Sequence, residues 1–412
     1  MAAEPNTTTT TPTPPPAPAL KRTPLHDRHV ASGAKMAPFA GYDMPISYAG
    51  LREEHEAVRT RVGMFDVSHM GEFIVRGRQA LDLIQHVTSN DAAKLAVGQA
   101  QYSCFPTPEG GIVDDLLVYR LPEEHCSAGE RAYMLVVNAS NIAKDWAWLQ
   151  RYAGDFDTQL IDISDATALL AVQGPKAIEA IQWLTTAKLR ELEYYTFVKT
   201  QFAGVDNVIV SATGYTGSGG FELYVPAAKA PQVWDAILAG GAKLTERLDD
   251  PAHRVVPVGL GARDSLRLEM GFALYGNDID DTTSTLEAGL GWITKFGKGD
   301  FVGKDFLARQ KAAGLERRLV GIRLHERRVA RHGYPIVDAV GVAGGADAAA
   351  SAPRIGVVTS GSMSPSLGYP IALGYVPFAM RRPGTPVIVS TGKKLLAGEV
   401  VRLPFARDLA GA

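Results

Sequence analysis

The feature that most constrains this chain is a pair of adjacent acidic residues inside an apolar run. Residues 110–119 read GGIVDDLLVY, so Asp114 and Asp115 interrupt a segment that otherwise has the character of a buried strand. Burying an ionised carboxylate without partners costs several kcal/mol, so the fold must supply hydrogen-bond donors or a cationic ligand. The run predicts a functional acid in an apolar pocket. A turn-capping aspartate beside a solvent-facing one is an equally weighted alternative.

The same run predicts how its side chains are arranged. Residues 101–121 have the pattern of two strands joined by a turn at 106–111 that is rich in proline and glycine. The two-residue period of a strand predicts Asp114 on one face and the following residues on the other: Val113, Asp115, Leu117 and Tyr119. A symmetric turn would place Tyr102 opposite Asp115.

A glycine-rich run is the second candidate. Residues 213–224 read TGYTGSGGFELY, in which the glycines would allow close approach of the backbone to a flat ligand and Glu222 begins a strand. An ordinary glycine-rich hairpin is the commoner outcome of such a sequence. The run lacks the G-x-G-x-x-G order and the strand-loop-helix context of a dinucleotide or phosphate loop, so those two functions are excluded.

Two further segments contain polar candidates. Residues 259–276 predict a turn and then a helix on which Arg263 and Arg267 share one side and could bind a carboxylate; pairing with Asp264, Glu269 or solvent is the commoner outcome. His69 could act as a base, although a lone histidine in a strand is more often a hydrogen-bonded core residue. No Ser/His/Asp set, paired-histidine metal spacing or P-loop is visible in the sequence, so no metal is expected.

Composition excludes several classes of function. The formal net charge of -2 and the pI near 6.5 give no global field for a phosphate backbone or an anionic membrane, so neither nucleic acid nor membrane is an expected partner. Cys104 and Cys126 are too few and too isolated for a disulfide framework or a zinc site. No apolar run is long enough for a membrane helix. The expected location is the bacterial cytoplasm, ahead of the mitochondrial matrix.

The pattern of elements predicts an α+β protein. Residues 1–20 are rich in Thr, Pro and Ala and predict a disordered tail, and VAGGADAAASAP at 342–353 predicts a flexible loop. The predicted helices cover 50–61, 80–87, 141–152, 231–247 and 261–270, and a further helix opens at Pro175. The predicted strands include 63–77 as one strand, 132–139, 167–172, 194–202 and 206–212. Short strands from Arg318 onward predict a small antiparallel barrel or jelly roll.

Taken together and in order, the motifs resemble one known family. They are KRTPLHDRHVASGAKMAPFAGYDMPISY, VGMFDVSHMGEF, YSCFPTPEGGIVDDLLVY, VVNASN, LLAVQGP, TGYTGSGGFEL, GLGARDSLRLE and TSGSMSPSLGYPIALGYV. Their sequence is similar to that of the aminomethyltransferases of the T-protein type in the glycine cleavage system, over residues 21 to about 405. The resemblance implies a three-domain cloverleaf around a central folate channel. The expected division is a tail at 1–20, two interleaved α+β domains at 21–310 and a C-terminal domain at 311–412.

The resemblance also implies an activity and a set of site residues. The implied reaction transfers the one-carbon unit of an aminomethyl group on a lipoyl carrier protein (H-protein) to tetrahydrofolate, giving 5,10-methylenetetrahydrofolate and ammonia. Asp115 matches the family's catalytic acid, and Glu222 matches a residue that binds the pterin. The remaining positions expected to line the folate site are Met70, Tyr102, Tyr119, Asn138, Tyr195, Tyr215 and Arg263.

Other functions remain open at this level. A folate-dependent demethylase, or the folate half of a dimethylglycine or sarcosine dehydrogenase, would share the fold, but the fused dehydrogenases need a dinucleotide-binding domain for which the sequence shows no signature. A non-catalytic folate-binding assembly factor for iron-sulfur proteins is the alternative from another class. Its relatives have a motif resembling K-G-C-Y-x-G-Q-E, which is absent here, whereas the aspartate pair is present.

Overall fold

The computed structural model describes residues 19–124, 126–338 and 353–407. Almost all of the predicted tail and of the predicted loop at 342–353 lies outside these residues. Within the described part of the chain, no helix has the length and apolar character needed to cross a bilayer.

Helices and strands alternate irregularly along the chain, as expected for an α+β protein. The helices are α1 His26–Ala31, α2 Leu51–Thr60, α3 Ala80–Val87, α4 Ile142–Ala153, α5 Ala177–Ile181, α6 Ala230–Leu248, α7 Leu260–Met270 and α8 Lys304–Ala313. The strands are β1 Lys35–Phe39, β2 Tyr42–Ser47, β3 Gly63–Asp66, β4 Gly71–Gly77, β5 Ala100–Pro106, β6 Ile112–Leu121, β7 Arg131–Val137, β8 Gln159–Asp162, β9 Thr167–Gln173, β10 Phe197–Phe202, β11 Val205–Ser211, β12 Gly220–Pro226, β13 Val256–Pro257, β14 Arg317–Leu324, β15 Pro335–Val337, β16 Arg354–Met363, β17 Pro370–Pro377, β18 Pro386–Ser390 and β19 Leu395–Val401.

These strands form two larger sheets, a short hairpin and a barrel. A six-stranded sheet has the order β10-β11-β12-β9-β3-β13, and a five-stranded sheet has the order β5-β6-β7-β4-β8. The five-stranded sheet is inserted in the chain between β3 and β9, so the two sheets interleave. Strands β14 to β19 close into a six-stranded barrel, which decides between the two predicted C-terminal architectures in favour of the barrel. The domain boundary predicted at 310/311 stays a prediction.

The prediction of a single strand over 63–77 is wrong. The chain forms β3 and β4 in different sheets and turns between them at 67–70. Asp66 fixes the turn because its carboxylate accepts hydrogen bonds from the Ser68 backbone N–H at 2.9 Å and from Thr23 Oγ1 at 2.6 Å. Both faces of β3 are buried. The alternation of residue types over 63–77 therefore does not distinguish a buried face from an exposed face of one continuous strand.

The five helices predicted with both bounds are confirmed within one to two residues at each end, and the helix predicted to open at Pro175 is α5, which begins at Ala177. In α2, His55 and Val58 are buried, whereas Leu51, predicted on the same face, is 39% exposed at the helix start. The hairpin β1-β2, strand β8 and helix α8 were not predicted. These elements are short or rich in polar residues, so their hydrophobic periodicity is weak.

The two larger sheets bury a shared cluster of side chains between them. It includes Phe65 from β3, Tyr119 from β6, Met134 from β7 and Tyr224 from β12, and α7 adds Leu266. Helix α7 is anchored by ion pairs and by contacts with the barrel: its Arg267 pairs with Asp278 at 2.6 Å and donates to Ser360 Oγ at 2.8 Å. Its Glu269 accepts from Arg59 at 2.9 Å and from Ser364 Oγ at 2.5 Å. The side chains on its other surface therefore have a fixed position beside the sheets.

Candidate active site

The hairpin β5-β6 places Tyr102 against Asp115, although not in the predicted register. Tyr102 lies opposite Leu117, and Cys104 lies opposite Asp115, so the predicted pairing is wrong by two residues. A long side chain reaches its diagonal neighbour across a strand pair. The Tyr102 hydroxyl accordingly donates to Asp115 Oδ2 at 2.8 Å.

A bulge near the turn changes which side chains share a face. Phe105 pairs with Asp114 while Pro106 pairs with Ile112, so Val113 is an extra residue in β6. Val113 therefore packs with Leu116 and Val118, not on the face of Asp115 where the period of two had placed it. Leu117 and Tyr119 do share the opposite face, toward the six-stranded sheet, as predicted.

Asp114 neither caps a turn nor faces water. It is 0% exposed, and its oxygens accept from the Asn138 N–H at 3.0 Å, Asn138 Nδ2 at 2.9 Å and Asn141 Nδ2 at 2.7 Å. Amide donors of this kind offset part of the cost of burying a carboxylate. Burial nevertheless raises the pKa of Asp114.

Asp115 has a different environment from its neighbour. It is partly accessible, and Oδ1 accepts from Asn138 Nδ2 at 2.9 Å while Oδ2 accepts from Tyr102. Burial and then the negative charge of Asp114 raise the pKa of Asp115 to about 7, against the opposing effect of the Tyr102 and Asn138 hydrogen bonds. A carboxyl with this pKa is poised to exist in either protonation state near neutral pH.

Glu222 lies at a second polar centre, on β12. It is 6% exposed, and its Oε2 accepts from Thr213 Oγ1 at 2.5 Å. The buried Tyr119 hydroxyl lies 3.2 Å from Thr213 Oγ1 and accepts from the Tyr224 hydroxyl at 3.0 Å. Burial raises the pKa of Glu222, and the Thr213 hydrogen bond and the charge of Arg263 oppose that rise. Glu222 Oε1 accepts no hydrogen bond from the residues that the structure describes.

Arg263, on α7, lies beside the loop that follows β11. Its guanidinium lies over the Tyr215 ring, 4.6 Å from the ring centroid, and has no carboxylate within ion-pair distance among the described residues. Tyr215 is held in turn by stacking on Phe272 at 5.8 Å and by donating to the Ala273 carbonyl. Pairing with acids, predicted as the common outcome for both arginines, occurs at Arg267 with Asp264 and Asp278, but not at Arg263.

The other predicted residues surround these centres less directly. Tyr195 has a positive φ of 65° and packs edge-on against Tyr194 at 4.6 Å, and burial raises its pKa, with smaller contributions from Tyr194 and other neighbours. Met70 is partly buried against the cluster between the sheets. The structure thus brings Asp115, Tyr102 and Asn138 into direct contact. Tyr119, Tyr195 and Met70 belong to the cluster between the sheets, the charge of Arg263 acts on Glu222, and Tyr215 lies under Arg263.

His69 is not the hydrogen-bonded core residue that its type suggests. It is 2% exposed between the edges of Phe39 and Tyr42, and Nδ1 has no hydrogen-bond partner among the described residues. Burial, with a smaller contribution from the charge of Arg263, lowers the pKa of His69 to about 4. The imidazole is therefore neutral at neutral pH.

Several residues of the site were missed at the sequence level. Asn141 and Asp145 lie behind Asp114, and their spacing of three and seven from Asn138 places all three on one side of the turn that opens α4. That spacing was a usable signal. Trp292 was not detectable in this way: it is 61% exposed in a single 3-10 turn, Gly291–Ile293, with its ring centroid 6.2 Å from that of Tyr102. No cluster of His, Cys, Asp and Glu suited to a metal ion occurs in residues 19–124, 126–338 and 353–407.

Comparisons with known proteins match this architecture. The family model of the GCVT N-terminal domain matches residues 25–298, and that of the glycine cleavage T-protein C-terminal barrel domain matches residues 317–406. The chain is 51% identical to an aminomethyltransferase of Flavobacterium psychrophilum over 386 residues, covering 94% of this chain and 99% of that one. It is 50% identical to an aminomethyltransferase of Bacteroides fragilis, covering 94% and 100% of the two chains.

A solved structure gives the same result. The crystal structure of the glycine cleavage system aminomethyltransferase T from Bartonella henselae superimposes with a TM-score of 0.82 at 35% identity, covering 94% of this chain and 98% of that one. The family models, the relatives and the solved structure agree with the resemblance that the motifs indicated. This chain belongs to the glycine cleavage T-protein family of aminomethyltransferases.

Proposed function

We propose that this chain is a tetrahydrofolate-dependent aminomethyltransferase that takes its one-carbon unit from a lipoyl carrier protein. The observation that supports this most is the setting of Asp115. It is a partly accessible carboxylate, held on both oxygens, in a site that also contains a second and differently supported carboxylate. The relatives of half-identical sequence and nearly full coverage support the same activity.

The donors and acceptors around Glu222 fit a reduced pterin. The amino-pyrimidine edge of a pterin presents two N–H donors side by side, which a carboxylate accepts as a pair. Within the described part of the chain, Glu222 has one oxygen fixed by Thr213 and a second without a partner, and the guanidinium N–H groups of Arg263 have no acceptor, so they can donate to a polar edge. Tyr195, Tyr215 and the Trp292 ring offer faces for the pterin and benzoyl rings. The residues present therefore suit tetrahydrofolate as the co-substrate.

The proposed reaction exchanges the bonds of a single carbon atom. On the donor, this carbon is bonded to the lipoyl sulfur and to an amino nitrogen. Its C–S and C–N bonds break, and bonds to N5 and N10 of the folate form. The two protons released from N5 and N10 end on the thiol and on ammonia. The products are 5,10-methylenetetrahydrofolate, ammonia and the dihydrolipoyl protein.

Asp115 would act at the charged stage of this exchange. Departure of ammonia leaves the carbon bonded to the lipoyl sulfur with positive charge, as a thionium ion, and attack by N5 followed by cleavage of the C–S bond transfers that charge to an N5 iminium. A nearby carboxylate stabilises the positive charge or accepts the N5 proton. The apolar surroundings strengthen this interaction because they lower the effective dielectric constant. Tyr102 and Asn138 hold the two carboxylate oxygens in place, so little reorganisation is needed during the reaction.

The partner and location follow from the same proposal. The aminomethyl donor would be the lipoyl carrier protein (H-protein), whose arm must reach Asp115 from the exposed side of the site near Trp292. The bacterial relatives support the cytoplasmic location expected from the sequence.

The test is tetrahydrofolate-dependent release of ammonia from carrier protein loaded with the aminomethyl group. We expect ammonia and methylenetetrahydrofolate to form in equal amounts, and neither to form when folate is omitted. Turnover only of a free methylated amine, with no reaction of the loaded carrier, would favour the demethylase instead. Folate binding without turnover of either donor would favour a non-catalytic folate-binding protein.

A further inference from the structure

A third carboxyl group lies behind the aspartate pair. Asp145 on α4 is 0% exposed, and neither of its oxygens accepts a hydrogen bond from an N–H or O–H group of the described residues. Its hydrogen-bond neighbour is the carboxyl group of Asp114. Asp145 is thus a buried acid whose contact is with another acid.

Two carboxyl groups form a hydrogen bond only when one of them has a proton. Asp114 already accepts three N–H groups from Asn138 and Asn141, all of which stabilise its ionised form. Asp145 has no such donors. The shared proton therefore belongs on Asp145, and burial together with the charge of Asp114 raises the pKa of Asp145 to about 11.

We propose that Asp145 is a positioning residue that stays protonated and donates a hydrogen bond to the ionised Asp114, so that a single negative charge, and not two, lies beside Asp115. The bonds form a continuous series from Asp145 to Asp114, from Asp114 to Asn138, and from Asn138 to Asp115. This inference rests on the proposed function for the role of Asp115, but the protonation of Asp145 is measurable without it.

The groups around both acids determine what a titration reports. Asp115 faces Asp114 on its own strand, Tyr102 and Cys104 on β5, and Tyr215 on the loop after β11. Asp145 faces Asp114, the more distant Asp115, Lys144 and the Tyr275 hydroxyl.

Lys144 makes its hydrogen bonds to groups other than Asp145, and its charge opposes the rise in the pKa of Asp145 only in part. Lys144 Nζ lies 2.8 Å from Asp281 Oδ2, 2.7 Å from the Tyr275 hydroxyl and 2.9 Å from the Val113 carbonyl oxygen. The net negative charge beside Asp115 therefore depends on the proton of the Asp114–Asp145 pair and not on the ammonium group of Lys144.

Two substitutions separate donation of a hydrogen bond from mere packing. Asp145→Asn retains an N–H donor for Asp114, so Asp114 stays ionised and the acid limb of the turnover-pH profile should not move. Asp145→Leu has no donor, so the pKa of Asp114 rises, its negative charge is lost at a higher pH than in the wild type, and the pKa of Asp115 falls. The acid limb should then move to lower pH by roughly half to one unit, with folate affinity unchanged. A merely structural role would lower stability in both variants and leave the limb in place.

A spectroscopic measurement tests the protonation directly and does not depend on activity. At pH 8 the wild-type protein should show the infrared carbonyl band of a protonated carboxylic acid that is lost in Asp145→Asn. Glu72→Gln is a matched control, because Glu72 is another buried acid with a raised pKa and no hydrogen-bond partner for its carboxyl oxygens among the described residues. Glu72→Gln should also lose an infrared band of a protonated acid, but the acid limb of its turnover-pH profile should match that of the wild type.

The outcomes separate this inference from the proposed function. An unchanged acid band in Asp145→Asn would overturn the inference even if Asp145→Leu failed to fold. So would an acid limb that moves equally in Asp145→Asn and Asp145→Leu. Inactivity of the wild-type protein toward the loaded carrier would overturn the proposed function, whereas the infrared result would stand.

Discussion

The two polar centres of the site contain the same functional group in opposite surroundings. Asp115 is partly accessible, and its charged neighbour is the acid Asp114, whereas Glu222 is nearly enclosed, and its charged neighbour is the cation Arg263. The first centre has excess negative charge, which suits a reaction that develops positive charge. The second is close to balanced, which suits binding of a neutral heterocycle. Under the proposed function, this difference favours chemistry at the first centre and binding at the second.

The largest expected effect is at Asp115. Asp115→Asn preserves the shape of the side chain but removes its charge, and we expect turnover to fall by about 10²–10³-fold, the usual size of a lost electrostatic contribution of this kind. The folate dissociation constant should change little. Steady-state kinetics together with calorimetric titration of folate measure both quantities.

The control for this prediction is Asp114→Asn. Because Asp114 is fully buried among three amide donors, the substitution should clearly lower the thermal midpoint. At a temperature where the variant is folded, its turnover should fall much less than that of Asp115→Asn. A folded but inactive Asp114→Asn beside a nearly normal Asp115→Asn would place the catalytic carboxylate one residue earlier.

The next effect concerns binding at the other centre. Glu222→Ala removes a charged acceptor, so folate binding should weaken by about 1.5–3 kcal/mol, with a smaller loss of turnover at saturating folate. Glu222→Gln, which keeps one oxygen acceptor, should lose less. Unchanged folate affinity of Glu222→Ala by calorimetry would move the pterin site elsewhere.

A smaller effect is expected in the pH dependence of turnover. The pKa of Asp115 is raised to about 7, and the ionised form stabilises the cationic carbon, so turnover should fall as the pH drops through that value. The Tyr102 hydroxyl stabilises the ionised form, so Tyr102→Phe should raise the pKa and move the acid limb to higher pH by up to about one unit. Tyr215→Phe, which removes no hydrogen bond from Asp115, should leave the limb in place. A limb that moves to lower pH in Tyr102→Phe would contradict the assignment.

No effect on either centre is expected from the N-terminal tail. Residues 1–20 contain almost no large apolar side chains, so their removal should change neither the thermal midpoint nor turnover. Differential scanning calorimetry of the truncated protein tests this expectation. A large fall in the thermal midpoint would show that the segment contributes to the stability of the fold.

Most of the helices and the small antiparallel C-terminal domain were predicted from the sequence because both have strong local signals. Helix α4 and the short strands after Arg318 show clear periodicity and turn residues. The break between β3 and β4 was not predicted, because it depends on Asp66 bonding to Ser68 and to the distant Thr23. Contacts made across the chain have no local pattern.

The same limit applies to the site. The aspartate pair was visible in one strand, and Asp115 was placed on the correct face relative to Tyr119. The bulge at Val113 and the two-residue register error were not visible, because a turn that contains proline and glycine can pair its strands in more than one register. Asp145 was missed because its significance depends on Asp114, which lies on another element.

Single-turnover formation of methylenetetrahydrofolate from aminomethyl-loaded carrier, at saturating folate, tests the division between the two centres most directly. We predict that Asp115→Asn remains slow by about 10²–10³-fold at saturation, because chemistry is impaired, whereas Glu222→Ala recovers most of the wild-type rate once folate is bound. A normal saturated rate for Asp115→Asn, or a Glu222→Ala protein that stays equally slow at saturation, would contradict the account.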